Sequence, residues 1–115
     1  QRNMTIHPPT KATLAKYGMS EADWLRLARS QNGACGACGQ IPISGRLNID
    51  HEHIRGWKKM PPDERKGYVR GLLCYMCNSM YCSRGMTVAK AEGVAKYLTR
   101  YGEWKRYSTH LLGAK

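Results

Sequence analysis

The chain has 115 residues, room for one small domain, and its 19 basic against 8 acidic residues give a formal charge of +11. That imbalance points to a polyanionic partner, most simply nucleic acid, the alternative being a basic surface without such a partner. No apolar stretch is long enough to span a membrane and the N-terminus has no signal-peptide core, so a cytoplasmic location is expected.

In chain order, residues 1–16 read as a basic N-terminal arm, irregular through residue 12, where "HPPTK" has two prolines and no periodicity. The chain opens on Gln1 rather than Met, as a trimmed or fragmentary chain would. "SEADWLRLARSQNG" predicts a helix: Ser20 and Asp23 form a capping box, Trp24, Leu27 and Ala28 share a face, and Gly33 stops it. "RLNIDHEH" and "GYVRGLLC" predict strands, separated by the polar, basic loop "IRGWKKMPPDERK". A helix is expected from Cys77 to about Arg84. Thr87 then caps another, over 87–104, where Val88, Ala91, Ala95, Leu98 and Tyr101 recur at helical spacing; the tail beyond it is expected to fray. No repeat or second domain is expected.

Phe is absent, so Trp24, Trp57, Trp104, the tyrosines and the leucines must supply the large apolar groups. A domain this small buries a modest core and often needs a staple. Two Cys-x-x-Cys pairs, Cys35 with Cys38 and Cys74 with Cys77, supply four thiolates for one tetrahedral Zn²⁺. Disulfides are the alternative, but nothing suggests secretion. A redox role fits poorly, because there are two pairs and no thioredoxin-like pattern. Four protein thiolates leave zinc no open position, so it holds the fold. Cys82 is left over and reads as a small buried hydrophobe.

The run Asp50-His51-Glu52-His53 is costly to bury and makes sense beside water, a metal or a reacting phosphate. If both cysteine pairs grip one zinc, the chain between them folds back, and Asp50, His51 and Asn78 can converge. A second zinc site or a polar strand end is the plainer alternative.

"CGACG", "IDHEH" and "VRGLLCYMCN", in this order, resemble the recombination endonuclease VII family of phage nucleases, within the wider HNH, His-Me finger or ββα-metal superfamily. The resemblance covers roughly Tyr17 to Tyr101. It implies an α+β fold: a small zinc-stapled ββα-metal nuclease domain with flanking helices. It implies Asp50 and Asn78 as ligands of a catalytic divalent cation, His51 as general base, and Cys35, Cys38, Cys74 and Cys77 as the structural zinc site. The stretch from His53 to Val69 is longer than usual in the family, and Cys82 has no family role.

The residue types agree with that chemistry. An imidazole, with an ordinary pKa of about 6.5, can accept a proton from water at physiological pH. Mg²⁺ or Mn²⁺ prefers oxygen ligands, which Asp50 and Asn78 offer. His53, two residues from His51 on a strand, shares its face and is expected to support it or touch a phosphate. Glu52 points the other way. Arg70 either clamps a phosphate or makes a surface salt bridge. Arg55, Trp57, Lys58 and Lys59 could grip DNA, with Trp57 stacked on a base or placed in the core. Arg84 and Lys90 could extend the basic face.

The expected function is therefore a metal-dependent DNA endonuclease, of a phage recombination or junction-resolving type. The alternatives are a nicking or duplex-cutting HNH enzyme without junction preference, a zinc-ribbon module that binds nucleic acid without catalysis, and a zinc-stabilised interaction domain of a larger protein. The expected partner is DNA, branched or duplex. Resolution of a junction requires two sites and hence a homodimer.

Overall fold

The computed structural model describes residues 6–83 and 85–111. The chain falls into two units, one ending at Arg84 and one beginning at Gly85.

In the first unit, helix α1 (Lys11–Lys16) begins at Thr10, whose hydroxyl accepts the Thr13 amide. The helix replaces the irregular chain expected at residues 11 and 12 of the basic arm, whose residues 1–5 lie outside the described residues. Lys, Ala and Leu are good helix formers, and the fixed backbone of Pro8-Pro9 ends just before the cap. Ile6 and Leu14 are buried, so the segment belongs to the core. Helix α2 (Glu21–Ser30) has the expected capping box, with Ser20 and Asp23 each accepting the other's amide. Gly18, between the helices, has a φ of +67°, and a Cβ there would lie 2.3 Å from the Pro62 carbonyl oxygen. Only glycine lets the α1–α2 turn approach the later loop so closely.

Strands β1 (Asn48–His51) and β2 (Val69–Leu73) form one antiparallel pair. The register runs Asn48 to Leu73, Ile49 to Leu72 and Asp50 to Gly71, then slips so that His51 faces Val69. Arg70 is the extra residue on β2, and a bulge of this kind re-aims a side chain. The core joins Trp24 and Ala28 of α2 to Leu47, Ile49, Leu72 and Leu73, with Trp24 and Leu72 fully buried. Burial of each leucine or isoleucine among them contributes about 1.5–3 kcal/mol relative to exposure.

The segment between the strands is more ordered than the expected polar loop. It holds a 3₁₀ turn at Trp57–Lys59 and a short helix α3 (Pro62–Arg65). Arg65 explains this, since its guanidinium donates to the carbonyls of Trp57 at 3.2 Å, Lys58 at 3.0 Å and Lys16 at 3.0 Å. After β2 the expected helix to Arg84 is shorter: a π-type turn covers Cys77–Tyr81, closed by the Cys82 amide on the Cys77 carbonyl.

In the second unit, helix α4 (Val88–Leu111) is longer than the predicted 87–104. It starts at the expected cap, the Thr87 hydroxyl accepting the Lys90 amide at 3.1 Å. Lys90 itself reaches the Gly85 carbonyl. Among the described residues, no helix is long and apolar enough to cross a membrane.

Candidate active site

The two cysteine pairs meet at one point. The Sγ atoms of Cys35, Cys38, Cys74 and Cys77 lie within 4.8 Å of one another, with Cys38 and Cys74 3.9 Å apart. A tetrahedral zinc with bonds of about 2.3 Å sets its sulfurs about 3.8 Å apart, so the four fit one structural metal. The knuckle conformation turns amides onto sulfur: Ala37 and Cys38 donate to Cys35 Sγ at 3.4 and 3.5 Å. Burial opposes ionisation of Cys35, but amides of Cys38, Cys74 and Ala37 outweigh it and draw the thiol down to about 6. Burial first, then the three neighbouring sulfurs, push the Cys77 thiol up. Four sulfurs this close do not all become thiolates unaided; a divalent cation bound among them would supply the missing charge.

Gln31 ties this knuckle to the sheet. Its Oε1 accepts the Leu72 amide at 2.9 Å, and its Nε2 donates to the carbonyls of Leu72 at 2.9 Å and Ala34 at 2.8 Å. The free edge of β2 is thereby paired by a side chain, as a third strand would pair it. The Gly36 amide adds a bond to the same Leu72 carbonyl.

Asp50 is 6% exposed, a buried charged residue at the edge of a mostly apolar core. Arg70, carried on the bulge, meets it with two parallel bonds, Nε to Oδ2 at 2.7 Å and Nη2 to Oδ1 at 3.0 Å. The hydrogen bonds that Arg70 donates to Asp50, the largest influence, raise its pKa against the cost of burial. The same Nη2 donates to the Cys82 carbonyl at 3.3 Å. One guanidinium thus spans from the β1 carboxylate to the end of the turn that contains Asn78. Asn78 is half-buried, and its amide donates to the Cys74 carbonyl within the second knuckle.

His51 follows Asp50 directly. Its Nδ1 lies 3.0 Å from the Glu52 carbonyl. A carbonyl only accepts, so the neutral ring carries its proton on Nδ1 and keeps a lone pair on Nε2. Its face is stacked on Trp57, with ring centroids 3.8 Å apart and planes 4° from parallel. The exposed His53 meets His51 edge-on at 5.0 Å. Tyr17 closes the cluster, 5.9 Å from His51 and 5.8 Å from Trp57. Burial raises the Tyr17 pKa above that of a free phenol. A groove of about 400 Å³ opens beside this cluster, lined among others by His51, His53, Arg55, Trp57, Lys58 and Lys59.

Six residues singled out in the sequence therefore share one groove, while Asp50, next to His51 in the chain, pairs with Arg70. Arg84 lies outside the described residues. Sequence reasoning missed Tyr17, Gln31 and Arg65. No spacing marks them, because each acts through carbonyls or rings distant in the chain.

The family model for recombination endonuclease VII matches residues 10–100. The Gene 59 protein of Mycobacterium phage L5 is 35% identical over 66 residues, which cover 56% of this chain and 34% of that protein. The Gene 59 protein of Mycobacterium phage D29 is also 35% identical over 66 residues, with 33% of its length covered. The match thus spans about a third of these curated relatives. No solved structure matches the chain. The cysteine cluster, the strand pair that carries Asp50 and His51, and the extent of the family match agree, and the chain belongs to the recombination endonuclease VII family.

Proposed function

We propose that this domain is a metal-dependent DNA endonuclease of the ββα-metal type, with His51 as its general base and a phage recombination or junction-resolving role. One observation carries the reading. His51 Nδ1 lies 3.0 Å from the Glu52 carbonyl, a contact that suits a ring protonated on Nδ1, with Nε2 as the acceptor, beside a basic groove. In the proposed reaction, His51 Nε2 takes a proton from water as the water oxygen attacks a phosphodiester phosphorus, and the bond to the leaving oxygen breaks.

Asp50 and Asn78 offer the hard oxygen donors that suit Mg²⁺ or Mn²⁺, and such a cation would offset the charge building on the phosphate and leaving oxygen. Two strands followed by the turn that carries Asn78 support the ββα reading. Arg55, Lys58 and Lys59 line the groove and would hold the DNA backbone. His53, in edge contact with His51, would steady that ring or touch a phosphate. Resolution of a junction would need two copies acting on opposed strands.

The second reading is a zinc-ribbon module that binds nucleic acid without cutting it. The Asp50–Arg70 pair favours it, since both carboxylate oxygens already have a cationic partner. A cleavage assay separates the two. Purified protein is incubated with a four-way junction, a plain duplex and a single strand, in Mg²⁺ and in chelator. Mg²⁺-dependent cutting supports the endonuclease, and preference for the junction supports resolution. Binding without cutting supports the module.

A further inference from the structure

The inference that follows rests on His51 being the general base, and it concerns what holds that ring in place. An imidazole on a strand end turns about two side-chain torsions, and the outer one has a broad, shallow preference. One hydrogen bond from Nδ1 to the Glu52 carbonyl fixes a direction but leaves the ring free to rock about it. A flat face at stacking distance removes that freedom. Trp57 supplies one, at 3.8 Å and nearly parallel.

Trp57 is itself unusually well held for a loop residue. Its carbonyl and that of Lys58 accept from the Arg65 guanidinium, which is also bonded to Lys16 at the end of α1. The guanidinium carbon lies 5.3 Å from the Trp57 ring centroid, within range of a cation–π attraction. The half-buried Tyr17, just after α1, packs against both aromatic rings. The loop is thereby joined to the first helix, and the indole becomes part of the scaffold.

We propose that Trp57 is a positioning residue for the His51 imidazole, fixed in turn by Arg65. One indole face is covered by His51, so stacking on a nucleobase through that face would require the pair to separate.

The test uses the full chain in Mg²⁺ with a cleavable duplex and junction. It compares Trp57→Ala, Trp57→Leu and Trp57→Phe for turnover, DNA affinity, zinc content and the NMR shifts of the His51 ring protons. Leucine keeps apolar bulk without a flat ring, so it serves where the alanine variant unfolds. The expected result is an upfield ring-current shift of the His51 protons in the wild type, kept in part by phenylalanine and lost with leucine or alanine. Turnover should fall on the order of 10–100-fold with leucine or alanine, as for a reacting group misplaced by about an ångström, and phenylalanine should restore most of it. DNA affinity should be unchanged throughout. Wild-type turnover with weakened DNA binding would overturn the proposal and make Trp57 a base-stacking residue. Absence of the ring-current shift would overturn it at the level of geometry. The parent reading fails separately: His51→Ala at wild-type rate removes the general base and this inference with it. An inactive His51→Ala beside a fully active Trp57→Leu removes the inference alone.

Discussion

Arg70 is a side chain whose setting limits what it can do. Asp50 is a buried carboxylate, and without the guanidinium it would be an uncompensated charge in the core. Arg70→Met should destabilise the domain by about 1–3 kcal/mol, less than the loss of one partner from a fully buried pair, because the Arg70 side chain is 44% exposed. Chemical denaturation of the two proteins measures this, and an unchanged midpoint would show that Asp50 is solvated well enough without the guanidinium. If Asp50 holds a cation, the same variant should take up Mn²⁺ more readily, since the competing positive charge is gone. The sequence showed Arg70 as a basic residue before the second knuckle and left open a phosphate or a salt bridge. The bulge that decides its direction is a register slip, which strand patterning alone does not encode. The Asp50-His51 run was legible because its residue types are unusual together. The rings that surround it were not, because Tyr17 and Trp57 meet His51 only after the loop folds back.

Among the elements, α2 followed the sequence closely: cap, apolar face and stop are all local features. Asp23 does more than cap. It accepts the Ser20 amide, pairs with Arg26, and takes Lys66 Nζ at 3.0 Å from the turn before β2. The Ser20 amide first, then Lys66, hold its carboxyl down at about 2, below the ordinary 3.8. A lowered folded-state pKa means stability that is present above the unfolded value and lost as pH falls through the folded one. The stability difference between wild type and Asp23→Asn should therefore persist at neutral pH and shrink between about pH 4 and pH 2. Thermal unfolding across that range checks it, and a difference independent of pH would assign the effect to shape rather than charge. The arm and the inter-strand segment were less legible. Helix α1 is only six residues, too short for periodicity to declare. The inter-strand segment owes its order to Arg65 reaching a carbonyl 49 residues away.

The four-cysteine cluster joins the end of α2 to the end of β2 and sets the distance between them. It was fully legible from two paired spacings, because ligand chemistry ties residue type to distance. Cys74→Ser should lose zinc together with helical signal, as metal binding and folding are linked in small domains. Metal analysis beside circular dichroism tests this, and a folded, zinc-free variant would contradict it. Gln31 and Gly36 give the knuckle a second attachment through Leu72, so some sheet structure could outlast metal loss.

Proton abstraction by His51 is tested by the cleavage rate of His51→Ala on saturating DNA in Mg²⁺. Removal of a general base should lower turnover by about 10²–10⁴ while zinc content, fold and DNA affinity stay as in the wild type. Wild-type turnover by purified His51→Ala, free of contaminating nuclease, would show that His51 is not the base and assign the chemistry to another group.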